Sequence, residues 1–286
     1  MVPLSSEKLK LGKIGFLNVV PIYYPLETGI ISHPFNIVSG TPACLNRLMA
    51  AGHLDLSVVS SIEYARHPER YFILPDLSIS CRGAVKSVLL LSRVPVEQLD
   101  SRTITVTTQS HTSVALLRIL LAQRYGIRAE LRPGRMPDHL EAEHLPLAFL
   151  AIGDEALQLN GQGIFPFSMD LGEVWHTWTG LPFVFALWVI QKNAAEKLNG
   201  SLRTALEILC AAKAWGRNHL DRVCRAASEK GVLTFEALQD YYQCLDYDLC
   251  QNEQTGLNLF FRFLEQMEEI PRVPVLEIAS PLACVA

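Results

Sequence analysis

The sequence predicts an α/β protein built as two lobes on a hinge, with a ligand cleft between them. Three observations carry that prediction. The first sixty residues alternate short apolar runs with capped helical segments, the pattern of parallel strands joined by helices. A self-contained strand–helix pattern lies further on, between residues 94 and 182. Two apolar runs bracket it, in GAVKSVLLLSR at residues 83–93 and FVFALWVI at residues 183–190, both too short for a core helix. Both read as buried strands, so the chain leaves one lobe near Arg93 and returns near Pro182. Residues 1–93 and 183–286 then make the first lobe, and residues 94–182 the second. A cleft between lobes is a usual home for a small ligand.

In chain order, residues 11–19 (LGKIGFLNV) read as a strand ending in Asn18, and Pro21 and Pro25 stop regular structure behind it. Residues 36–39 make a short second strand. Thr41 as N-cap and Pro42 at the first helical position open a helix over 43–51, which Gly52 ends. Residues 54–59 (LDLSVV) are a third strand, and Ser60 and Ser61 open a helix over 62–66. Loops at the C-terminal ends of parallel strands gather on one edge, which places Asn18, Thr41, Ser60 and Ser61 together. In the second lobe, TITVTT at 103–108 is a strand and residues 109–113 (QSHTS) lead into a helix over 114–124. That helix, VALLRILLAQR, is apolar nearly all round with Arg118 as the exception, so it is buried. Residues 147–152 (LAFLAI) are a strand, and Gly153 and Asp154 open the next helix. Residues 167–171 and 175–178 lead to the return crossing. Beyond Ile190 the chain turns helical over 194–220, 234–242 and 252–268.

Composition narrows the function classes. In a chain of 286 residues, 49% hydrophobic content with 19% charged residues supports a core and argues against disorder. A net charge of −4 gives no electrostatic case for nucleic acid or for an anionic membrane surface. The apolar run at 183–190 falls far short of the roughly 20 residues that span a bilayer. The opening MVPLSSEKLKLGKIGF has no apolar segment of the signal-peptide kind. Seven cysteines, an odd number at irregular spacing, suit reduced thiols rather than a disulfide framework. The expectation is a cytoplasmic α/β protein with no nucleic-acid or membrane partner; its oligomeric state is not legible.

The motifs are mostly negative ones. No CxxC or HExxH occurs, and His139 and His144 stand five apart, which separates them on a helix, so no metal is expected. Neither GxGxxG nor GxxxxGK[ST] is present, so no nucleotide is expected. Cys44 and Cys81 lie near the cleft but have no neighbour that would lower a thiol pKa. What remains is a set of small hydroxyls at helix starts: Thr41, Ser60, Ser61, Ser110, Thr112 and Ser113. Each alone reads most simply as an N-cap. Several on facing edges of one cleft instead make a receptor for carboxylates, because helix starts offer unpaired N–H donors and the positive end of the dipole. Asn18 brings an amide with both donor and acceptor, and Ser87 sits on the first crossing.

GKIGFLNVVPIYYPLE, SGTPACLNRLMAAGHLDLSVVSSIEYAR, LPDLSISCRGAVKSVLLLSR, TTQSHTSVALLRILL, IGDEAL and WTGLPFVFALWVI together resemble the chorismate dehydratases of the futalosine route to menaquinone. The resemblance covers residues 12–190 in long, ordered motifs, while the helical C-terminal third matches only in character. It implies the type II periplasmic-binding-protein fold, two lobes and a hinge, used as a cytoplasmic enzyme. It implies dehydration of chorismate to 3-[(1-carboxyvinyl)oxy]benzoate without metal or cofactor, the substrate's own enolpyruvyl carboxylate taking the proton. The family's site asparagine and serine carry over to Asn18 in FLNVVP and Ser87 in GAVKS. SCRG at residues 80–83 departs from the family pattern, which leaves the roles of Cys81 and Arg82 open. Two other classes share the fold: a non-catalytic small-carboxylate-binding protein, and the dihydroxynaphthoate-forming enzyme of the same pathway, whose opening strand is expected to carry a Ser-Pro-Cys-type turn.

Overall fold

Two five-stranded sheets organise the chain. The structure is a computed structural model, and it describes residues 8–137, 144–197 and 201–279. The first part runs β1 (Lys10–Ile14), α1 (Val20–Glu27), β2 (Asn36–Gly40), α2 (Pro42–Ala50), β3 (Leu56–Ser60), α3 (Ser61–Arg66) and β4 (Tyr71–Cys81). It continues through β5 (Val88–Ser92), β6 (Thr103–Thr107), α4 (His111–Ile119), β7 (Glu130–Gly134), β8 (Ala148–Ile152), α5 (Gly153–Asn160), β9 (Phe167–Asp170) and α6 (Leu171–Thr179). Strand β10 (Phe183–Gln191) follows, then α7 (Lys192–Lys197), α8 (Ser201–Asn218), α9 (Leu220–Ser228), α10 (Phe235–Gln243) and α11 (Gln251–Gln266).

The first sheet has the order β2-β1-β3-β10-β4 and the second β7-β6-β8-β5-β9. In the first, β1 runs parallel to β2 and β3, and β10 inserts antiparallel between β3 and β4. In the second, β6 runs parallel to β7 and β8, and β5 inserts antiparallel between β8 and β9. Every residue of β5 and β8 is buried, which is why both read as unbroken apolar runs. The run 88–92, counted with the first lobe on sequence, pairs in the second sheet. The chain therefore passes from sheet to sheet through residues 82–87 and returns through 180–182.

Two expectations fail near the first sheet. The strand expected over 11–19 stops at Ile14, and Leu17–Val19 form a 3-10 turn that runs directly into α1. Pro21 and Pro25 do not stop structure: Pro21 sits in the first turn of α1, where an N–H would be unpaired anyway, and Pro25 lies inside it. Pro25 cannot donate to the carbonyl of Pro21, and Gly216 of α8 packs against that carbonyl so closely that a Cβ would overlap it. A neighbouring helix thus covers the carbonyl that the proline leaves without its helical partner. The second miss is β4, an edge strand interrupted at Pro75 and Asp76, the latter at φ 56°. Its pairing with β10 is irregular, and the segment after α10 lines its other side through Ser80 N–H to the Asp246 carbonyl and back, both 2.8 Å.

Candidate active site

A cavity opens where the ends of both sheets face each other. Four helix starts converge on it: α2 through Pro42 and Ala43, α3 through Ser60, α4 through Ser110 and His111, and α5 through Gly153. Apolar side chains from both sheets and the crossings, among them Phe16, Val59, Ile79 and Phe185, form the rest of the wall. The cavity volume is about 90 Å³. Among the described residues, no Asp, Glu, Lys or Arg lines this cavity; its one imidazole is His111.

Asn18 is held at the backbone and free at the side chain. The Leu17 N–H donates to Asp154 Oδ1 at 2.9 Å, which ties the turn to α5 of the other sheet. Tyr242 donates its hydroxyl to the Leu17 carbonyl at 3.1 Å, and Tyr247 to the Asn18 carbonyl at 2.8 Å. Burial raises both phenols above their ordinary range, so they remain donors. Asn18 Oδ1, by contrast, is buried with no hydrogen-bond partner. The same is true of Asn46 Oδ1 and Ser60 Oγ, which line the same cavity. Buried polar atoms are nearly always paired, so three orphans around one space mark where a ligand supplies the partners.

Ser87 is placed by the first crossing. Gly83 at φ 100° and Lys86 at φ 61° turn the chain there. Asp170, the N-cap of α6, accepts from the N–H groups of Val85 and Lys86 as well as from those of Gly172 and Glu173. Burial pushes the Asp170 carboxyl up, against the pull of these donors. The Ser87 carbonyl accepts from Gly153 N–H at 2.7 Å, which joins the crossing to the start of α5. Tyr241 donates to Ser87 Oγ at 3.0 Å, and Ser87's own contact with the Val85 carbonyl is long, 3.4 Å. The serine proton can therefore turn toward the cavity while its oxygen stays polarised by the tyrosine.

The structure separates the other sequence candidates. Ser60, Ser110 and Ser113 line the cavity with Asn18 and Ser87; Thr41, Ser61 and Thr112 do not. Thr41 caps α2 by accepting from Cys44 N–H at 3.3 Å. Ser61 donates to the Val184 carbonyl at 2.6 Å inside the core. Thr112 accepts from Ile62 N–H at 3.1 Å and so links α4 to α3. Ser110 and Ser113 reach the cavity but bond each other: Ser110 Oγ accepts from Ser113 N–H at 3.1 Å and donates to Ser113 Oγ at 2.9 Å.

Cys81 packs fully buried against Gly172, and burial pushes its thiol well above the ordinary value. Arg82 pairs with the buried Glu253 of α11 at 3.0 Å, and the Glu253 carboxylate also accepts from Cys250 N–H, so Arg82 anchors the C-terminal region. Of the histidine pair, His139 lies outside the described residues, and no cluster of three or more metal-ligating side chains occurs among those described. Sequence reading missed Asn46, whose only signal is an amide beside the Leu45–Met49 apolar stripe of α2. It also missed Tyr241, Tyr242 and Tyr247, which reach the site from more than 150 residues away.

Residues 9–266 match the family described as menaquinone biosynthesis. The chorismate dehydratase of Thermus thermophilus is 30% identical over 266 residues, 87% of this chain and 93% of that one. The 1,4-dihydroxy-6-naphtoate synthase of the same organism is 28% identical over 202 residues, 70% of this chain and 72% of that one. Among solved structures, the periplasmic aliphatic sulphonate binding protein SsuA of Escherichia coli shares 14% identity at a TM-score of 0.65, covering 96% of this chain and 92% of that one. That likeness shows the periplasmic-binding-protein fold. No helix among the described residues is long and apolar enough to cross a membrane.

Proposed function

Because the chain belongs to the menaquinone biosynthesis family, we propose that it removes water from chorismate to give 3-[(1-carboxyvinyl)oxy]benzoate. In this reaction the C3–H bond breaks and its proton passes to the enolpyruvyl carboxylate of the substrate. The electron pair enters the ring, the C4–O bond breaks, and the departing hydroxide takes up a proton to leave as water. Aromatisation supplies the driving force, so the protein's task is to hold the arm over the ring and to stabilise charge on the ring carboxylate. The observation that carries this reading is a cavity of helix starts, amides and hydroxyls with no carboxylate among its described lining residues. Asp154, the carboxylate in the first turn of α5, is engaged by Leu17 N–H outside that lining.

In this account Asn18 orients the enolpyruvyl arm, its amide N–H donating to the carboxylate and its Oδ1 accepting from the arm once that carboxyl has taken the C3 proton. Ser87, polarised by Tyr241, donates to a carboxylate. The starts of α2 and α4 hold the anionic groups with backbone dipoles rather than with Lys or Arg. The first sheet with the C-terminal helices makes one lobe and the second sheet the other, hinged at residues 82–87 and 180–182. The chemistry uses no metal: exhaustive chelation is expected to leave turnover unchanged, and activity lost on chelation and restored by one divalent ion contradicts it.

The likeness to the naphthoate synthase sustains a second reading, in which the substrate is a later intermediate of the same family's route. Against it stands the FLNVVP opening, which lacks the Ser-Pro-Cys-type turn expected of that enzyme from the family resemblance. Purified protein mixed with chorismate and followed by proton NMR decides. New aromatic signals of an enol ether support dehydration; unchanged chorismate rejects it.

A further inference from the structure

Asn46 has no role in the account so far, yet its Oδ1 is one of three buried unpartnered polar atoms around the cavity. It projects from α2, whose apolar stripe, Leu45 and Met49, is fully buried. That stripe packs α2 on β1 and β3, which holds Asn46 on the first-sheet side of the cavity that Ser60, at the end of β3, also lines.

A buried amide oxygen is an acceptor, and it repels carboxylate oxygens. It calls for a donor, and among the described residues none supplies one. Chorismate with both carboxyl groups ionised has a single hydrogen-bond donor, the ring O–H at C4. We propose that Asn46 is the residue that reads this hydroxyl, accepting its proton at Oδ1 while Ser60 Oγ donates to its oxygen. The assignment rests on chorismate being the substrate. It gives two of the three orphaned atoms of the first-sheet side, Asn46 Oδ1 and Ser60 Oγ, one complementary partner, and that partner is the group the reaction expels.

One consequence is asymmetric. The product has lost the hydroxyl but keeps both carboxylates and the ring, so an Asn46 contact discriminates substrate from product, whereas a carboxylate contact does not. A site built to bond a hydroxyl strongly disfavours the analogue that lacks it, because its own polar groups are then left unpaired.

The test measures KM for chorismate and the inhibition constant of the product for wild type, Asn46→Ala and Asn46→Leu. Asn46→Ala is expected to raise KM on the order of tenfold while product inhibition stays within about twofold. Asn46→Leu removes the acceptor but keeps the shape of the side chain, so it is expected to weaken substrate and spare product in the same way. This second variant carries the test if the alanine variant does not hold its thermal transition. An alanine variant that weakens product as much as substrate overturns the proposal in favour of a carboxylate or packing role. One that changes neither also overturns it. Wild-type protein that leaves chorismate untouched fails the substrate assignment itself, is seen before any variant is made, and takes this proposal with it.

Discussion

The two walls of the cavity carry the same kinds of residue and use them differently. On the first-sheet side, Asn18, Asn46 and Ser60 have buried polar atoms with no partner, and the backbone at Asn18 is pinned from outside by Tyr247. On the second-sheet side, Ser110 and Ser113 bond each other and, behind them, Thr112 bonds Ile62, so each of these three hydroxyls already has a partner. Small polar residues at helix starts are thus ambiguous by type, and the state of their hydrogen bonds resolves them. In the proposed function the first wall meets the ligand with side chains, and the second presents backbone dipoles held in place by its side chains.

The largest effect that sharpens this contrast is expected at Asn18. Asn18→Ala removes an interaction made with the reacting arm and should lower kcat more than it raises KM, with kcat/KM down roughly ten- to a hundred-fold. Near wild-type kinetics from a folded variant would place the arm elsewhere. Ser87 comes next. Ser87→Ala should raise KM about tenfold with a smaller change in kcat, the loss of one hydrogen bond to a charged group. Tyr241→Phe, which keeps the serine and removes only its polarising donor at 3.0 Å, should have the same sign and a smaller size. Equal effects in both variants would make the pair a structural unit.

On the second wall the expected readout is stability. Ser110→Ala deletes the N-cap of α4 and should cost about 0.5–2 kcal/mol, with kcat close to wild type. A loss of kcat without a fall in Tm would move Ser110 to the ligand-reading wall and erase the contrast.

The smallest effect concerns Asp154, which joins the two walls through Leu17. Burial raises its pKa above 3.8, outweighing the opposing pull of the Leu17 N–H and of Lys230. The folded protein therefore holds this proton more tightly than the unfolded chain does. The stability tied to it is complete at low pH and declines as pH rises through the raised value. Asp154→Asn cannot ionise, so its Tm relative to wild type should climb from acid toward neutral pH; a gap that stays flat would show the carboxyl to be unshifted.

How much of this was legible in the sequence varied with distance along the chain. The β1 to α3 alternation followed from runs of four to nine residues, and the cap at Thr41 with Pro42 behind it appeared as read. Asn18 and Ser87, which both punctuate apolar runs, do line the cavity. The turn at Asn18 was misread as strand because prolines in the first turn and body of a short helix look like stop signals; only Gly216 of a distant helix makes them tolerable. Strand β4 was missed because Pro75 and Asp76 break its pattern. The tyrosine supports and Asn46 left no local signal, since a phenol reaching a carbonyl some 225 residues away has no spacing to read.

The most direct test is an NMR titration of uniformly nitrogen-labelled protein with the product, 3-[(1-carboxyvinyl)oxy]benzoate, the side-chain amide signal of Asn18 being assigned by its loss in Asn18→Ala. The account predicts that the Asn18 amide moves on binding, with the backbone amides at the start of α4 moving as they meet a carboxylate. Saturable binding that shifts α4 and leaves the Asn18 amide where it was would contradict it.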